Sequence, residues 1–234
     1  MIDAQLYIEQ KEGWEDECKK VAYSFHKFGI CKFKDPRVNS TDNDQYIDLV
    51  EKYFDHTSKK FYAGEELKDS RPDLCYQTGV TPEGIEKARD HQALVDSLEG
   101  DNKPLSIQPP VLDAKWRFFW KIGERPPEVK DDIPQTIPDD FPTWSEEMDK
   151  WGNQMVNTIY LAAEMAAIGM GLPKDTFSSK MIGGPHLLAP TASDLVKYKM
   201  GTAFASFHYD LNFITIHGKS RYPGLFLWTR EWEK

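Results

Sequence analysis

Two side chains near the C-terminal end have the types and the spacing to do chemistry together. His208 and Asp210 lie two residues apart in the run Ala205-Ser206-Phe207-His208-Tyr209-Asp210-Leu211-Asn212-Phe213-Ile214-Thr215-Ile216. Side chains on an extended segment alternate, so an imidazole and a carboxylate at this spacing project to one side and can grip one object. A neutral imidazole and a carboxylate, joined by one more His from elsewhere, make the facial set that holds Fe(II) and leaves half of an octahedral shell open. The pair alone carries little weight, since His-x-Asp arises by chance in roughly one chain in three of this length. The alternative is a strand-end His beside an Asp that caps a turn.

The residues that follow strengthen the first reading. His208, Asp210, Thr215, Gly224 and Leu225 keep the pattern His-x-Asp, four residues, Thr, eight residues, Gly-Leu. In this the chain resembles the isopenicillin N synthase-like 2-oxoglutarate/Fe(II)-dependent dioxygenases. Lys19 to Phe33 is similar to the helix and strand that open that family, and Tyr53 to Asp90, with Tyr76-Gln77-Thr78-Gly79-Val80-Thr81-Pro82-Glu83-Gly84, to its surface helix and the loop over the site. The resemblance implies an α+β fold in which a helix-rich N-terminal region precedes a double-stranded β-helix, the clavaminate synthase-like jelly roll. It implies Fe(II) held by His208, Asp210 and a distant His, 2-oxoglutarate as cosubstrate, and oxidation of a small organic substrate with O2. Asn212 and Thr215 are candidate pocket residues, and Arg221 a candidate partner for a substrate carboxylate. The alternatives are an isopenicillin N synthase-type oxidase that works without 2-oxoglutarate, and a non-catalytic fragment or binding module.

The chain also departs from the pattern. Family members carry a distal His and then an Arg-x-Ser for the cosubstrate carboxylate, and neither motif occurs in the 24 residues from Asp210 to Lys234. His217 lies in this stretch, but on an unbroken strand it faces away from the pair. His186, after the turn Gly183-Gly184-Pro185, reads as a loop residue. Leu187-Leu188-Ala189-Pro190 stands where many members have Asn-Tyr-Tyr-Pro, and Asn212 replaces a common Gly. The expectation is therefore a chain with only the first half of the jelly roll: a truncated form, or half of a split or oligomeric assembly. Strands lacking their partners would leave it poorly stable.

Composition bounds the function class. A net charge of -9 and a pI near 5.2 argue against nucleic-acid phosphates or anionic membranes as partners. Aromatic residues at 13% of the chain point to a bulky folded core. Cys18, Cys31 and Cys75 form no metal-binding spacing, and an odd count fits no closed disulfide framework, so reduced thiols in the cytoplasm are expected. The acidic N-terminus is no signal peptide, and no apolar run suits a membrane span.

Around the pair, periodicity predicts a helix over 14–28 ended by Gly29, a short strand over 30–33, and a second helix after Asn39-Ser40-Thr41-Asp42. Residues 64–91 read as loop-rich, 92–112 as a short helix and then an extended stretch, and 116–122 as an aromatic strand. The proline-rich 123–142 reads as an ordered surface linker. A long support helix follows, opened by a Thr143/Glu146 capping box and stopped by Gly169, Gly171 and Pro173. From Thr202 onward strands are expected. These divide into a mixed N-terminal region (1–142), the support helix (143–183) and the opening jelly-roll strands (184–234).

Overall fold

The computed structural model of the protein describes residues 1–124, 128 and 133–234. β1 (Ile2–Asp3) runs into the short helix α1 (Ala4–Ile8), capped by the Asp3 carboxylate, which accepts from the Gln5 amide. The helix expected over 14–28 is α2 (Trp14–Phe28). Glu15, Asp16 and Glu17 sit in its first turn and His26 and Lys27 in its last, as the helix dipole favours. The following strand forms only as β2 (Phe33–Lys34), parallel to β1. α3 (Ser40–Tyr62) begins after the polar cluster, where the Asn39 side chain accepts from the Thr41 amide.

The loop-rich reading of 64–91 missed a strand. β3 (Gly79–Thr81) lies among the breakers and is wholly buried, because it is an antiparallel neighbour of the aromatic strand. The helix α4 (Gln92–Ser97) and an extended stretch lead to that strand, β4 (Trp116–Lys121). β4 alternates with period two: Trp116, Phe118 and Trp120 are at most 2% exposed, and the residues between them are half-buried. The buried face meets Tyr53 of α3 and Trp144 of α5 (Trp144–Gly169), with ring centroids 5.3 Å and 4.7 Å from Phe118. Each such ring contributes about 1.5–3 kcal/mol on burial. Trp120 Nε1 donates to Asp149 Oδ1 at 2.7 Å, so the helix also fixes the strand's polar edge.

α5 packs against β4 on one side, as expected of a support helix. On the other it lays Leu161, Met165 and Ala166 against Cys18 and Val21 of α2. The capping box is not formed, since Thr143 makes no side-chain cap hydrogen bond. The other edge of β4 is filled by β5 (Leu187–Leu188) and β6 (Thr191–Ala192), both antiparallel to it. Much of the expected linker, residues 125–127 and 129–132, lies outside the described residues. Its described end at Thr136 is held by a 3.0 Å hydrogen bond from the Thr78 hydroxyl.

The architecture is therefore α+β, a four-stranded antiparallel sheet backed by two long helices, with a small parallel β1–β2 pair. The jelly-roll strands expected from Thr202 onward are not formed: residues 201–234 carry no regular secondary structure. A β-ladder needs a neighbour for its backbone N–H and C=O groups, and no described strand lies alongside this segment. Several of its apolar side chains, among them Leu211, Phe213 and Leu225, are exposed. No helix among the described residues is long and apolar enough to cross a membrane.

Candidate metal centre

Without a ladder, residues 206–210 are held by side chains from the stretch before β4. The buried Ser206 donates its backbone N–H to Asp113 Oδ1 at 3.0 Å, and Phe207 donates its own to Ser106 Oγ at 2.7 Å. The Phe207 ring meets Trp228 edge-on at 5.1 Å and His91 at 5.7 Å, and Tyr209 packs on His91 at 5.2 Å. Phe207 thus anchors the backbone while its two neighbours point outward.

His208 and Asp210 come together although no strand forms. Nε2 of the imidazole lies 3.6 Å from Oδ1 of the carboxylate, and both side chains are about half exposed. Nδ1 of His208 lies 2.6 Å from the Ser206 carbonyl oxygen. A carbonyl only accepts, so Nδ1 carries the proton and Nε2 presents its lone pair. At 3.6 Å no hydrogen bond joins Nε2 to the carboxylate. Two acceptors thus face each other across a gap open to solvent, and a cation is what such a donor set binds.

The Thr215 hydroxyl donates to Asp210 Oδ2 at 2.6 Å and accepts from Asn212 Nδ2 at 2.9 Å. These contacts tie down the far carboxylate oxygen and leave Oδ1 toward the imidazole. Arg221 engages Asp48 and Glu51 on α3, which commits its guanidinium to two carboxylates there. His217 is exposed, and His186 lies beside α5, its Nε2 3.3 Å from the Tyr160 hydroxyl. Among the described residues, no group of three His, Cys, Asp or Glu side chains is placed to hold a metal. His208 and Asp210 fit Fe(II) in type and facing, as two ligands of a set that needs a third. Sequence reading missed Asp113, Ser106 and the Ser206 carbonyl: an acceptor that serves a backbone N–H some ninety residues away leaves no local pattern.

No family model matches the chain, and no curated protein matches it. Solved structures do. A full-length Neurospora crassa oxygenase in complex with alpha-KG superposes with a TM-score of 0.57 at 17% identity, covering 81% of this chain and 52% of that one. The C-terminally truncated form of the same protein gives 0.54 at 17% identity, covering 81% and 60%. A putative 2OG-Fe(II) oxygenase family protein from Caulobacter crescentus gives 0.51 at 18%, covering 76% and 50%. The chain spans half to three-fifths of the length of these structures. Over that span its fold is the fold of 2-oxoglutarate/Fe(II) oxygenases.

Proposed function

We propose that this chain is part of a non-haem Fe(II), 2-oxoglutarate-dependent oxygenase that oxidises a small organic substrate with O2. His208 and Asp210 are two of its three protein ligands, and residues other than those described supply the third. The observation that carries this reading is the Nε2 lone pair turned toward a carboxylate oxygen 3.6 Å away with no proton shared between them. The fold shared with alpha-KG-bound oxygenases supports it. The Neurospora protein has also been solved with 5-formyluracil, which favours a small planar or ring-bearing molecule as the substrate class.

The work of this chain's residues is orientation. The Ser206 carbonyl fixes the imidazole tautomer, Thr215 holds the carboxylate, and Asn212 orients the Thr215 hydroxyl. Bound Fe(II) would supply the redox chemistry that couples 2-oxoglutarate decarboxylation to substrate oxidation. A second reading, a non-catalytic module, draws on the want of a third ligand among the described residues.

Titration of the protein with Mn(II), followed by the loss of the free-ion electron paramagnetic resonance signal, tests the assignment. His208→Ala and Asp210→Ala are each expected to weaken binding, and equal affinity across all three proteins refutes the metal site. Succinate release coupled to O2 uptake separates a 2-oxoglutarate-dependent enzyme from an oxidase that does without it. Metal binding with neither activity marks the non-catalytic module.

A further inference from the structure

We infer that Asp113 is a positioning residue for the candidate metal centre, acting through the Ser206 peptide on the tautomer and aim of His208. For its functional consequence this rests on the metal reading above. Asp113 is 3% exposed, and its two carboxylate oxygens have separate tasks. Oδ1 accepts the Ser206 N–H at 3.0 Å and Oδ2 binds the Lys115 ammonium. Its backbone is pinned as well: the Asp113 amide donates to the Glu86 carbonyl at 2.8 Å, and its carbonyl accepts from the Gly84 amide at 2.9 Å. Lys115 reaches Glu86 at 3.1 Å, closing the network on its outer side.

The residue that Asp113 holds is the one whose carbonyl takes the His208 Nδ1 proton at 2.6 Å. One hydrogen-bonded path therefore runs from a buried, rigidly mounted carboxylate through one residue to the imidazole. Its importance follows from the local backbone. A strand would hold His208 through its ladder, but residues 201–234 have no ladder. The two acceptors Asp113 and Ser106 take the place of strand partners for consecutive residues, Ser206 and Phe207. Without Asp113, the Ser206 peptide can rotate, its carbonyl leaves Nδ1, and the proton is free to move to Nε2, where it blocks a metal.

The test reads the tautomer directly, with no metal present. Side-chain 15N shifts of His208 are recorded at pH 8, where ordinary imidazoles are neutral, in the wild type, Asp113→Leu, Asp113→Asn and Ser106→Ala. The wild type is expected as the Nδ1–H form. Asp113→Leu is expected to move His208 to a tautomer mixture, and Asp113→Asn, which keeps an acceptor oxygen, to restore the wild-type pattern. If Asp113→Leu does not fold, Ser106→Ala removes the neighbouring anchor and is expected to shift the same signals. An Nε2–H wild type, or unchanged signals in every folded variant other than Asp113→Asn, overturns the inference. Mn(II) affinity is then compared: the variant that shifts the tautomer should bind about 10-fold more weakly, the loss typical of an outer partner of a metal ligand. Loss of Mn(II) binding in His208→Ala with no effect of the Asp113 and Ser106 substitutions on the tautomer refutes only the positioning role. Equal binding in His208→Ala refutes the metal reading and leaves the tautomer result standing.

Discussion

Replacing Gly169 by Ala tests the packing on which the whole arrangement rests. Gly169 is the last residue of α5 and lies against the backbone of α2. A Cβ there would sit 2.1 Å from the Cys18 carbonyl oxygen, 2.5 Å from its carbon and 2.9 Å from Ala22 Cβ, where ordinary contact begins at 3.4 Å. The obstacle is backbone, so no rotamer change relieves it and the two helices must part by more than an ångström. In an open helix the same substitution is favourable by about 1 kcal/mol. Overpacking that shifts backbone costs about 1–3 kcal/mol, and a clash this deep belongs at the upper end, for a net loss of about 2 kcal/mol. In a chain of this size that lowers Tm by about 4–8 °C, which thermal unfolding followed by far-UV circular dichroism measures. Adding Ala22→Gly should recover nothing, because the shortest contact is with the Cys18 carbonyl. A Tm equal to or above wild type for Gly169→Ala would refute the close approach of α2 and α5.

Other outcomes follow from single contacts. Thr215→Val removes the hydroxyl that holds Asp210 and should weaken Mn(II) binding about 10-fold, while Thr215→Ser should keep it; unchanged binding in the Val variant would remove Thr215 from the centre. The Glu83 carboxyl is buried, which alone would raise its pKa, but hydrogen bonds from Lys197, Tyr62 and Tyr198 hold it below the ordinary range. A depressed carboxyl stabilises the fold above its unfolded pKa, and that stability is lost as pH falls through the folded value. Urea midpoints measured from pH 7 down to pH 3 should therefore drop less steeply below about pH 4.3, the ordinary Glu value, in Glu83→Gln than in wild type, and parallel curves would contradict the contact. Burial pushes the Cys18 and Cys31 thiols up to about 11, and Cys75 is exposed. A thiol reagent at pH 8 should label Cys75 fast and the other two slowly, and mass spectrometry showing fast labelling at Cys18 would refute its burial.

Where the sequence was legible, local physics decided the element. α2 matches its expected bounds because its apolar stripe, charged first and last turns and terminal glycine all agree, and β4 because alternating aromatics suit a half-buried strand. β3 was illegible: Gly79 and Pro82 look like loop residues, and only pairing with β4 makes a strand of Gly79–Thr81. The stretch after Thr202 fails in the opposite way. It has strand composition, but composition supplies no partner for its backbone.

The spacing of His208 and Asp210 and their motif partner Thr215 were written in the sequence, since residues this close in the chain stay close in almost any extended backbone. That Nδ1 meets the Ser206 carbonyl, that Asp113 and Ser106 stand in for a ladder, and that Arg221 is taken up by α3 were decided by tertiary structure alone. Each depends on residues brought together from distant parts of the chain or on a backbone turn that no side-chain pattern encodes. The residue types of a metal centre are a local property, while the direction in which a ligand's lone pair points is set by everything packed behind it.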